Sequence, residues 1–454
     1  MQGGRLLALL LVSMMILAFS MVAHASANLG LTLVSTRNYT IPGILRVYCA
    51  ASISSGRMLV AGSIGSPPKP YAAILTDAGL TPLTLPLPAS IVKGEVTGCF
   101  WSSRGLILYG YVTDSNMTPR AVVWIYSNGA LRYRVLEKII IKPLDVVASP
   151  TATYIVGYIG ACRDTGSLAI AYSILKPIYE LLNGNYTGFV YAPGGIVKNR
   201  IIGRIGNTTF ACEYFTGVEE LVNSSVVLVG YGRTFEGIDL GFILLQNSLL
   251  NSKKPSSIVL LPMLPLATTH TTHKLVAVGE FIGGQRMLPG VLVVNDAGEF
   301  RIARLSVPSA QAAGLTSVSC TGVACIAGGS MLGGKGGSTP ILAFFTLQGL
   351  HVSSARIYPL SGYGEGDVEA VLLNPDNTAY AVLVKRSGGE STLELLKLKV
   401  VQISSTKHVP ANSVEAGGGM KEQKPISNVI LVSILIAVGV GGLLLALYLH
   451  RAKR

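Results

Sequence analysis

A repeat constrains this chain more than any other feature. Six short apolar runs end in glycine: MLVAG at Gly62, LILYG at Gly110, YIVG at Gly157, VVLVG at Gly230, LVAVG at Gly279 and CIAG at Gly328. Successive glycines lie 47 to 49 residues apart, apart from one step of 73. A seventh run, AYAVLV at Ala379–Val384, lacks the glycine. Each run is followed about a dozen residues later by a second, such as Tyr71–Leu75, Ala121–Ile125 or Ile341–Phe345. Short runs rich in Val, Ile and Leu and bounded by turn residues read as strands. With 52 Gly and 22 Pro along 454 residues, turns are frequent and long helices are not expected.

A period near 50 with several strands per unit predicts propeller blades. Seven units fit between about Pro42 and Ile403. The long step gives one unit about 24 extra residues, expected as a loop over Lys176–Gly206. The last unit (Val368–Leu373, Ala379–Val384, Leu393–Val401) is one strand short, and Leu29–Arg37 is an apolar-rich strand with no unit of its own. Pairing the two would close the ring and tie down both ends. The expected fold class is therefore all-β: a single seven-bladed β-propeller closed by its N-terminal strand, plus one C-terminal transmembrane helix. An open solenoid and a six-bladed ring are the competing architectures.

Val226–Gln246 (VVLVGYGRTFEGIDLGFILLQ) resembles the repeats of bacterial and archaeal secreted propellers, in which an apolar-Gly-Tyr strand leads through a Gly-x-Asp turn into another apolar strand. Val318–Gly329 (VSCTGVACIAGG) is similar to the cysteine-containing hairpin of secreted propellers of the photosystem-assembly and BNR-like type. The resemblance covers about a third of the chain and implies a fold, not an activity. The Asp-box Ser-x-Asp-x-Gly-x-Thr-Trp is absent, so sialidase chemistry is not implied, and no Trp-Asp repeat signature occurs.

The flanks predict an address. Residues 1–25 read as a signal peptide: Arg5, an apolar run, then Ala23-His24-Ala25 for the peptidase. Cleavage after Ala27 and an uncleaved anchor are the alternatives. Residues 426–449 are apolar and uncharged, long enough as a helix (about 36 Å) to cross a hydrocarbon core of about 30 Å. The tail at 450–454 carries Arg451, Lys453 and Arg454, which places it in the cytoplasm and the bulk outside. The basic tail argues against a GPI-type signal. Ser433, Ala437 and Gly441 form a small-residue stripe on which membrane helices could pack. Residues 404–425 (SSTKHVPANSVEAGGGMKEQKP) read as a flexible stalk, leaving 28–403 as the propeller ectodomain.

All six cysteines lie in the exported part, where disulfides form. The expected pairs are Cys320–Cys325 within one hairpin, and Cys49–Cys99 and Cys162–Cys212, each one repeat apart. Asn38, Asn116, Asn185, Asn207 and Asn223 head Asn-x-Ser/Thr sequons and are glycosylation candidates.

No catalytic, cofactor-binding or metal-binding residues are assigned. Gly329–Gly336 misses a phosphate-binding loop because Gly336 stands where the Mg²⁺-holding hydroxyl belongs. His270 and His273 have no Asp or Glu within six residues and read as loop residues; Glu365, Asp367 and Glu369 lack calcium-loop spacing. The expected function is a membrane-anchored cell-surface module that binds or scaffolds proteins or envelope glycans, held by lipid around its C-terminal helix, with no cofactor and no nucleic-acid partner. An extracellular carbohydrate-processing enzyme with carboxylates at the channel, or an accessory subunit of a membrane complex, are the alternatives.

Overall fold

The computed structural model describes residues 29–402, apart from short internal stretches of which 247–256 is the longest. Two short 3-10 turns, Ile178–Leu182 and Ser361–Tyr363, accompany a chain otherwise built of strands. Five sheets hold four antiparallel strands each, four of the sheets paired in sequence order. The first runs Leu45–Ser54, Arg57–Ile64, Lys69–Thr76, Gly79–Leu83, and the others repeat the meander from Lys93, Met263 and Ala312.

The fifth sheet closes the ring. Leu29–Pro42 pairs antiparallel with Glu390–Gln402, Leu29 opposite Gln402 and Pro42 opposite Glu390. Behind it stand Thr378–Ser387 and Asp367–Leu373. Leu45, Val47 and Val60 of the first sheet then pack against Ala370, Val382 and Leu393 of this one. An apolar cluster of this kind fills each gap between neighbouring sheets. These gaps, more than any single sheet, are the hydrophobic core.

Burial follows from this stacking. Gly105–Thr113 buries all but its first residue, because a strand in mid-sheet is covered by a neighbouring sheet on each face and needs no polar side. Innermost strands alternate instead: the first half of Leu45–Ser54 buries every second residue and turns the others toward the axis.

The expectation of seven separate blades is corrected. Five four-stranded sheets are discrete; the region between them forms one ten-stranded sheet. Within it, Lys142–Ala148, Thr153–Ala161, Gly166–Ile174 and Gly188–Tyr191 pair antiparallel, as do Thr208–Glu220, Val226–Thr234, Asp239–Gln246 and Ser257–Leu261. A single parallel bridge, Ser167 to Cys212, joins the two sets. The extra residues placed in a loop over 176–206 form the short strands Gly188–Tyr191, Gly195–Val197 and Arg200–Ile205 around one 3-10 turn. Backbone in a compact region must pair its polar groups, and sheet addition does so.

Among the described residues no helix is long and apolar enough to cross a membrane. The expected signal peptide, stalk, membrane helix with Ser433, Ala437 and Gly441, and tail lie outside the described residues, as do Asn185 and Asn223. Asn38, Asn116 and Asn207 are exposed, on a strand, a turn and a turn.

Candidate binding site in the central channel

The seven strands nearest the axis begin at Leu45, Lys93, Lys142, Thr208, Met263, Ala312 and Asp367, and all carry the same irregularity. Each inserts an extra residue against its partner strand at one equivalent place. In order the extra residues are Tyr48, Thr97, Leu144, Thr216, Leu266, Thr316 and Glu369. All seven line one central cavity of about 1170 Å³. A β-bulge bends a strand and re-aims a side chain. Repeated around an axis, it sets a ring of side chains into the channel.

The bulge explains the glycine of the repeat. Gly62, Gly110, Gly157, Gly230, Gly279 and Gly329 each pair with the residue just before the bulge. At each of them, a Cβ would come within 3.0 Å of a carbonyl oxygen on the inner strand, closer than real Cβ atoms approach. Glycine is required there for close approach of two backbones. In the sixth unit the equivalent residue is Gly329, not Gly328. Gly328 instead leaves room for Val368 of the next sheet. In the last unit Leu383 takes this place without a glycine.

One charged group in the channel gathers three inner strands. His270 belongs to the strand Met263–Thr271, not to a loop; His273 lies outside the described residues. Its Nδ1 is 2.7 Å from Glu219 Oε2 and its Nε2 is 3.1 Å from Asp145 Oδ2. Asp145, side chain 7% exposed, also accepts the backbone N–H groups of Val146 and Val218. Burial favours the neutral imidazole, but the Asp145 charge and the hydrogen bonds to Asp145 and Glu219 outweigh it and raise the pKa to about 10. The ring is an imidazolium at neutral pH. Its side chain is 31% exposed, so the cation is presented to the channel as well as to its partners.

Glu369 ends the ring of bulge residues. Its carboxylate accepts the N–H of Val47 at 2.7 Å and pairs with Arg386, which also donates to the carbonyl of Leu45. This acid therefore fastens the last sheet to the first and does not join Glu365 and Asp367 in an acidic site. Toward the C-terminal ends of the inner strands the cavity reaches Trp101, 51% exposed, whose indole N–H donates to the carbonyl of Ser52.

Cys49 and Cys99 form a disulfide between adjacent inner strands, and Cys320 and Cys325 form one across a hairpin. Cys212 is also disulfide-bonded; its expected partner Cys162 lies outside the described residues. Among the described residues no grouping of His, Cys, Asp and Glu has the arrangement of a metal site.

The His270 constellation escapes a local reading because its acids lie 51 and 125 residues away in sequence. Superposing the repeats on their glycines brings Glu219 and His270 onto neighbouring inner strands, and that is the signal available in the sequence.

No protein-family model matches the chain, and no curated protein matches it. Solved structures do, and those named here include β-propeller-like proteins. The polysaccharide lyase Uly1 is 8% identical, with TM-score 0.46 over 78% of this chain and 90% of its own. A protein from Lactobacillus plantarum is 14% identical, with TM-score 0.41 over 76% and 99%. Sqt1 from Chaetomium thermophilum is 10% identical, with TM-score 0.41 over 82% and 100%.

Proposed function

We propose that the protein is an exported propeller, tethered to the membrane by its C-terminal segment, that binds an envelope glycan or an extended peptide in its central channel. In this reading the ten-stranded sheet counts as two blades linked by one bridge, giving a sevenfold ring. The observation that carries the proposal is the ring of bulge residues. Seven equivalent backbone positions present one aromatic, two apolar, three hydroxyl and one acidic side chain to a common cavity. A rigid frame that varies only the side chains facing a cavity is how a fold becomes a recognition surface. The disulfides support export, since such bonds persist in oxidising compartments.

Binding is favoured over carbohydrate-processing chemistry because the described carboxylates of the channel are engaged. Asp145 and Glu219 hold His270, and Glu369 holds Arg386. A glycosidase needs one carboxyl group free to give a proton and another free to attack or to activate water.

The test is glycan- and peptide-array binding by the full chain, with Thr316→Trp as the channel-filling variant. Thr316 is exposed in the channel, so the larger ring costs little stability. An array ligand whose affinity drops tenfold or more in this variant supports the proposal. Ligands that bind both forms equally refute it.

A further inference from the structure

The mouth of the channel nearest the N-terminal ends of the inner strands carries an arc of tyrosines. Tyr48 stands at one end, Tyr231 at the other, and both line the cavity. Between them, Tyr158 and Tyr214 meet edge to face with ring centroids 4.7 Å apart, and Tyr214 and Tyr231 lie 5.0 Å apart. Lys142 Nζ sits 5.2 Å from the centroid of Tyr111 and 5.3 Å from that of Tyr158, a cation held over two ring faces. The arc crosses the first two sheets and both halves of the ten-stranded sheet.

Its charge is unbalanced. Glu95 feels Arg46, Lys142 and Lys93 and accepts a hydrogen bond from Tyr48. Three cations thus act on one carboxylate near Tyr48, where Glu369 also faces Arg46, whereas Glu280 and Asp239 face the Tyr231 end, so the positive charge is concentrated around Lys142. Burial raises the pKa of the Tyr48 hydroxyl to about 12 and raises those of Tyr111, Tyr158 and Tyr231 as well, so these phenols stay protonated at neutral pH. Uncharged phenols add no negative charge beside Lys142 and Arg46, so this part of the arc suits an oxyanion. Ring faces along a curved rim suit the C–H faces of successive sugars better than a single small anion.

We infer that this arc is a subsite for an anionic polysaccharide, carboxylated or sulfated, with Lys142 and Arg46 supplying charge and the tyrosine rings supplying faces for the sugars. The inference rests on the channel-binding reading above and names the ligand class for it.

The full chain, solubilised in mild detergent at physiological salt, is titrated with four probes. These are polygalacturonate, dextran sulfate, neutral dextran and poly-glutamate. One or both acidic glycans are expected to bind at least about tenfold more tightly than neutral dextran and poly-glutamate. Preference for only one identifies carboxylate or sulfate as the group read. Lys142→Met is expected to weaken that binding about tenfold, and Tyr48→Leu, which removes the ring face, about threefold to tenfold. Equal affinity for neutral dextran, equal affinity for poly-glutamate, or unchanged affinity in both variants overturns the inference. The two readings fail separately. Loss of an array ligand on Thr316→Trp without any acidic preference sinks this inference alone. Equal binding by the Thr316→Trp form sinks the channel reading itself.

Discussion

Removing the two described disulfides, one at a time, has unequal expected costs, and the difference follows from their places in the ring. Cys49–Cys99 spans 50 residues of sequence and joins the inner strands of two neighbouring sheets; Cys320–Cys325 spans 5 and joins two strands that already pair. On the chain-entropy account, losing the first frees the unfolded chain by about 4 kcal/mol and losing the second by about 2 kcal/mol. Replacing each pair by alanine also removes buried sulfur, since Cys49 is 5% exposed and Cys325 is fully buried. That loss is common to both variants and largely cancels. Urea unfolding followed by tryptophan fluorescence and by far-ultraviolet dichroism, with coincidence of the two as the check on two-state behaviour, gives the comparison. The Cys49→Ala/Cys99→Ala form should be less stable than the Cys320→Ala/Cys325→Ala form by about 2 kcal/mol. Equal losses, or a greater loss for the hairpin pair, would show that the bond between sheets does not restrain the unfolded chain as argued.

Other expectations follow from the same geometry. Gly279→Ala places a methyl group against the carbonyl of Leu264 and should cost about 3 kcal/mol or prevent folding, whereas Gly129→Ala, at a turn with open space around it, should cost only about 1 kcal/mol; thermal melts distinguish them. His270 has a folded pKa of about 10, above its unfolded value, so its contribution is complete below about pH 6.5 and disappears as pH rises through 10. His270→Gln should therefore flatten stability between those limits, and a profile parallel to the wild type would contradict the pairing. Glu213 is fully buried with Oε2 unpartnered, and burial raises its pKa to about 8. Stability should fall as pH rises from about 4.5 to 8 and then level, and Glu213→Gln should remove that decline.

The fold was largely legible because a propeller writes itself into the sequence as a period. The glycines marked where inner and second strands touch, and the missing strand at the end announced that Leu29–Arg37 would fill it, within the observed strand Leu29–Pro42. The merging of two units was not legible, because it depends on one parallel bridge between Ser167 and Cys212, and no local pattern encodes a bridge. The strands within 188–205 were hidden for a related reason: their turn-rich composition, with Pro193, Gly194 and Gly195, outweighs the few β-branched residues between. Of the channel, the Cys49–Cys99 pair followed from repeat spacing and the Cys320–Cys325 pair from closeness within one hairpin. The Tyr48 to Glu369 ring did not, since a bulge leaves no signature in the residue it inserts. His270 looked isolated because its carboxylates arrive from other strands.

The seam between the first and last strands also decides how the molecule would carry a load. Glu390–Gln402 lies between Leu29–Pro42 and Thr378–Ser387, paired along nearly its whole length on both sides. Tension applied to the chain beyond Gln402 pulls that strand along its own axis. Two ladders of hydrogen bonds must then slip together in shear; they cannot be peeled apart one rung at a time. A ring anchored at that point would therefore hold its shape under drag until a whole strand yields.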